Sequence, residues 1–123
     1  MLREDPAYAE KAKRVSELAK DITEYLAGIE MPAPVNGASM IVAYHSACSM
    51  QHGQKITRQP KALLAKAGFR VVEPREAHLC CGSAGTYSLT QPDLSRRLRD
   101  AKLDALESGR PEVIATANIT YML

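Results

Sequence analysis

Met40-Ile41-Val42-Ala43-Tyr44 is a short apolar run, bounded by Gly37-Ala38-Ser39 before it and His45-Ser46 after it. Its length and its β-branched residues read as a buried strand rather than a helix. Two further runs have the same character. Phe69-Arg70-Val71-Val72 is stopped by Glu73-Pro74, and Val113-Ile114-Ala115-Thr116-Ala117 follows Arg110-Pro111. Between the first two, residues 45–58 read as a loop with one helical turn. Gln59-Pro60 then opens a short helix through Leu63, Leu64 and Ala67, closed by Gly68. Between the second and third, a helix is predicted from about Gln91-Pro92 to Gly109. Leu94, Leu98, Ala101, Ala105 and Leu106 form its apolar face, and Arg96, Arg97, Arg99, Asp100 and Lys102 its mostly solvated side. Strand, helix, strand, helix, strand in this order implies an α/β fold: a small three-stranded, largely parallel sheet with flanking helices and right-handed crossovers.

Outward toward the N-terminus, residues 5–29 read as one long amphipathic helix. Asp5 can cap it and Pro6 suits its first turn. Tyr8, Ala12, Val15, Leu18, Ile22, Leu26 and Ile29 advance by threes and fours as a core-packing face. Met31-Pro32-Ala33-Pro34-Val35-Asn36-Gly37 cannot continue it. The expected division is therefore residues 1–37, an N-terminal helix with a Pro-rich linker, and residues 38–123, a single α/β domain.

The chain has 123 residues, enough for one compact domain. Lys and Arg number 16 against 14 Asp and Glu, and the net charge of +2 is too small to suggest nucleic acid or a membrane surface as partner. No apolar run approaches the roughly 20 residues of a membrane span. The start, Met1-Leu2-Arg3-Glu4-Asp5, lacks a signal-peptide core, which makes the expected location cytoplasmic.

The three cysteines, Cys48, Cys80 and Cys81, cannot all pair. Adjacent cysteines bridge only with a strained backbone, so the set argues against a disulfide framework and for a reducing compartment. A single cysteine is more often a small buried apolar residue. Two neighbouring thiols followed by Gly82 are harder to explain that way, since one apolar pocket rarely takes both. In a parallel sheet the loops after the strands lie at the carboxyl edge, where open α/β sheets place their sites. The first strand delivers His45, Cys48 and His52 there, the second the Cys80-Cys81-Gly82 loop, the third Asn118 and Tyr121. Gly82 and Gly85 let backbone N–H groups approach sulfur or an anion.

Three thiolates plus a fourth ligand suit tetrahedral zinc or an iron–sulfur cluster. His45, His52 and His78 are candidates for the fourth position, each more often a surface or hydrogen-bonded residue than a ligand. His52 is the best placed, four residues after Cys48 and on the same side if that loop is helical. Gly82-Ser83-Ala84-Gly85 lacks the Lys-Ser/Thr ending of a phosphate loop. A thiol enzyme would need Cys-x-x-Cys or a Cys–His–Asn/Asp set, and the adjacent pair is a poor exchange couple. No residue is assigned a catalytic role.

Tyr44-His45-Ser46-Ala47-Cys48-Ser49-Met50-Gln51-His52-Gly53 and His78-Leu79-Cys80-Cys81-Gly82-Ser83-Ala84-Gly85-Thr86-Tyr87 resemble the cysteine-rich CCG domain family, in particular the C-terminal part of glycolate oxidase-type iron–sulfur subunits. Ala115-Thr116-Ala117-Asn118-Ile119 resembles the segment before that family's last cysteine. One Cys, 31 intervening residues and then Cys-Cys-Gly is a specific pattern. The resemblance implies an electron-transfer module, not itself catalytic, that serves flavin-containing partner subunits and lies peripheral to the inner membrane through their complex. It also implies an iron–sulfur cluster of the 4Fe-4S type, or zinc, held by Cys48, Cys80 and Cys81. The family's subunit carries ferredoxin-like cysteine runs and usually two CCG units, so this chain resembles a fragment or remnant of a longer one. Where the family continues Asn-Ile-Gly-Cys, this chain has Asn118-Ile119-Thr120-Tyr121, and Tyr121 stands in the fourth cysteine's place. Losing one of four thiolates lowers affinity. A degenerate, metal-free domain acting as a structural or protein-interaction module is the alternative.

Overall fold

A computed structural model describes residues 2–32 and 39–118. Its contacts divide the chain into two units, Met1–Met31 and Pro32–Leu123.

The first unit is not one helix. After a short 3₁₀ turn, Leu2–Glu4, come α1, Ala9–Leu18, and α2, Ile22–Ala27. Asp5 does cap its turn, its Oδ1 accepting from the Ala7 N–H at 2.9 Å. The break lies at Ala19 and Asp21, both in extended conformation with ψ of 120° and 149°. Its cause is a capping box that periodicity alone passes over. Asp21 Oδ1 accepts from the Thr23 N–H at 2.8 Å, and Glu24 Oε2 accepts from the Asp21 N–H at 3.0 Å. These bonds reward an extended Asp21, which a continuous helix would forbid. Within the unit Val15, Leu18, Ile22 and Tyr25 stay exposed, because two short helices supply no second layer to bury them.

The second unit is the α/β fold expected. Its strands β1 (Ile41–His45), β2 (Arg70–Val72) and β3 (Val113–Thr116) form a sheet in the order β2-β1-β3. Both pairings are parallel, with Val42 opposite Val71 on one side and Val113 on the other. The central strand is the most buried one, with Val42, Ala43 and Tyr44 in the core. His45 belongs to the end of β1 rather than to the loop after it.

After β1 the chain makes a π-helical turn, Ser49–Gln54, ended by Lys55 at φ +62°. Ala47, Met50 and Ile56 pack together under it. Helix α3, Gln59–Lys66, carries Pro60 in its first turn as its sequence demands. It ends in a Schellman motif at Gly68 (φ +93°), with Phe69 N–H donating to the Leu64 carbonyl and Gly68 N–H to Ala65. A short helix, α4 (Tyr87–Thr90), precedes the long α5, Pro92–Glu107.

Helix α5 buries only part of the face its apolar residues suggest, Ala105 and Leu106, and buries two polar residues with it. Its buried residues are Ser95, Lys102, Ala105 and Leu106, while Leu94 and Ala101 are exposed. Lys102, expected on the solvated side, is 1% exposed. The helix turns these residues inward because the cysteine-bearing loop presents two backbone carbonyls that only polar side chains can satisfy.

Candidate metal centre

The chain passes from β1 to β2 on one side and then from β2 back across to β3 on the other, so the ends of β1 and β3 form the switch point where such sheets place their sites. There Thr116 Oγ1 lies 2.8 Å from His45 Nδ1 and accepts from the Asn118 N–H at 3.1 Å. The Asn118 side-chain amide then reaches into the cysteine loop, donating to Ser83 Oγ at 3.5 Å and to Cys81 Sγ at 3.9 Å. Ser83 Oγ is itself 3.0 Å from Cys81 Sγ. The chemistry-bearing loop is thus laced to both strand ends.

Helix α5 holds that loop from the other side. Lys102 Nζ donates to the Ala77 carbonyl at 2.8 Å, and Ser95 Oγ donates to the Gly82 carbonyl at 2.9 Å. Ser95 and Lys102 are seven residues apart, two helical turns, so both face the loop. Gly82 is required where it sits. Its φ is +80°, and a Cβ there would stand 2.5 Å from the Ser95 carbonyl oxygen. That fold-back lets the Gly82 N–H donate to Cys80 Sγ at 3.4 Å.

All three cysteines are free thiols; Cys48 and Cys80 are exposed and Cys81 is buried. They share one electrostatic neighbourhood. The Cys48 thiol is pushed above its ordinary range, first because the surrounding protein strips water from one side of it, then because Cys80 and Cys81 would add like charge. Lys102 opposes this. Burial in turn lowers Lys102 below the usual amine range, and Cys48, Cys81 and Cys80 pull it back up. His45 is 1% exposed. Burial first, and the Lys102 charge second, lower it to about 4, so the imidazole is neutral near pH 7.

The sequence-predicted residues therefore separate. Cys48 feels the charges of Cys80, Cys81 and Lys102, and the Asn118 amide reaches Cys81. His45 lies in the core with Nδ1 against Thr116. His52 and His78 are exposed on their turns. Tyr121 lies outside the described residues. Among the described residues no three Cys, His, Asp or Glu side chains stand close enough to enclose a single ion as placed. The donor chemistry nonetheless suits a thiolate-held group: three thiols, an N–H and an amide directed at sulfur, and a buried cation within reach. Sequence reasoning missed Lys102, Ser95 and Thr116. The spacing of Ser95 and Lys102 on one helix was the only available signal.

This arrangement, a CCG loop set at the carboxyl edge of a small parallel sheet, agrees with the comparisons. Residues 42–120 match the profile of the cysteine-rich CCG domain, and the chain belongs to that family. It is 48% identical over 119 residues to the glycolate oxidase iron-sulfur subunit of Escherichia coli (strain K12), covering 97% of this chain and 29% of that protein. The match lies in that protein's C-terminal part. It is 27% identical over 122 residues to the probable glycolate oxidase iron-sulfur subunit of Bacillus subtilis (strain 168), covering 96% of this chain and 27% of the relative. It is 28% identical over 121 residues to lactate utilization protein A of Bacillus licheniformis, covering 96% and 50%. The chain thus spans half or less of each of these relatives. No solved structure matches it. Among the described residues no helix is long and apolar enough to cross a membrane.

Proposed function

We propose that this chain is the cysteine-rich ligand module of a glycolate oxidase-type iron–sulfur subunit, and that Cys48, Cys80 and Cys81 hold an iron–sulfur cluster of the 4Fe-4S type, with zinc as the second metal. The observation that carries the reading is the CCG match over residues 42–120, together with the Asn118 amide that ties the Cys81 loop to the carboxyl edge of the sheet. A bound cluster would supply one-electron storage and release. The chain's own residues bind and orient. The Gly82 N–H and the Asn118 amide hydrogen-bond to sulfur, and Ser95 and Lys102 hold the loop that carries Cys80 and Cys81. Electrons would come from a flavin-containing partner subunit, in a cytoplasmic complex peripheral to the inner membrane, and substrate would be oxidised on that partner.

Anaerobic purification followed by iron, sulfide and zinc analysis and visible spectroscopy tests this. Stoichiometric iron and sulfide, lost on Cys48→Ser or Cys80→Ser, is the expected result. A folded, colourless, metal-free protein overturns it and leaves a structural or protein-interaction module. Co-purification with the flavin subunit tests the partner.

A further inference from the structure

Lys102 is a long cationic side chain buried to 1% exposure on α5, a helix whose other basic residues, Arg96, Arg97 and Arg99, are exposed. Burying an ammonium is costly unless it is hydrogen-bonded and faces negative charge. The described structure gives it one hydrogen-bond acceptor, the Ala77 carbonyl at 2.8 Å, three residues before Cys80. No carboxylate forms an ion pair with it among the described residues. The titratable groups within its field are Cys48, Cys81 and Cys80 and the neutral imidazole of His45. A neutral side chain of similar length would fill the same space without the desolvation cost, so the charge itself needs a reason.

We propose that Lys102 is a positioning residue of the cysteine rim: its ammonium ties the Cys80–Cys81 loop to α5 through Ala77 and imposes a positive field at the thiols, matched to an anionic, thiolate-held group. The inference deepens the reading of the rim as a ligand site and rests on it for the identity of that group. The field itself belongs to the metal-free chain and is measurable there.

The experiment alkylates Cys48 and Cys80 of the metal-free 123-residue chain with iodoacetate and, separately, iodoacetamide at one pH, each site resolved by mass spectrometry. Both reagents consume thiolate, so the ratio of their rates cancels the thiolate fraction and reports the local potential. The folded wild type is expected to show a higher ratio than the same chain unfolded in urea. Lys102→Met should lower the folded ratio about threefold, and Lys102→Arg should keep it. A folded Lys102→Met protein with an unchanged ratio overturns the proposal. If Lys102→Met does not fold, the wild-type comparison decides, and a folded ratio no higher than the unfolded one overturns it. Failure of the wild type to take up iron and sulfide defeats the functional reading instead, and leaves the ratio to judge Lys102.

Discussion

His45 occupies the end of the central strand, fully buried, with Nδ1 against Thr116. Its folded value of about 4 lies below the ordinary 6.5, so between these values the unfolded chain binds the extra proton. The stability it contributes is complete above about pH 6.5 and is lost as pH falls toward about 4, by at most about 3 kcal/mol. Urea midpoints measured at pH 7.5 and 5 should show this loss, and His45→Gln should flatten it. Two glycines of the cysteine loop separate conformation from close approach. Gly82 (φ +80°) has a backbone oxygen 2.5 Å from where a Cβ would stand, whereas Gly85 (φ +53°) has open space. Gly82→Ala should cost about 2–4 kcal/mol and Gly85→Ala about 1 kcal/mol, read as shifts in urea midpoint.

At the scale of the element, the break between α1 and α2 rests on Asp21, Thr23 and Glu24. Asp21→Ala removes the bonds to Thr23 and leaves the Glu24 arm of the box without its reciprocal partner. It should cost α2 about 1 kcal/mol, visible as faster amide exchange over residues 23–26. Helix α5 gives the opposite lesson. Counting its Leu and Ala residues identifies the helix correctly, yet the buried stripe runs through Ser95 and Lys102. Hydropathy ranks both as surface residues. Their partners, the Gly82 and Ala77 carbonyls, lie 13 and 25 residues away in sequence, beyond the reach of helical periodicity.

For the whole molecule, the resemblance sets Tyr121 where the family has a fourth cysteine. Tyr121→Cys should slow the loss of iron to a chelator severalfold relative to wild type, because a fourth thiolate closes the ligand set. An unchanged rate of loss would count against position 121 as a ligand. The sequence by itself determined the order of strands and helices, the helix starts at Pro60 and Pro92, the stop at Gly68 and the family pattern of Cys48, Cys80 and Cys81. Those are local signals, carried by the residues that form each element. Tertiary structure decided which side of α5 is buried, that His45 is buried at the end of β1, and that Lys102 is held on the Ala77 carbonyl beside the cysteine loop. Each depends on groups brought together across the sheet edge, where a distant carbonyl or thiol sets the cost of burying a polar side chain.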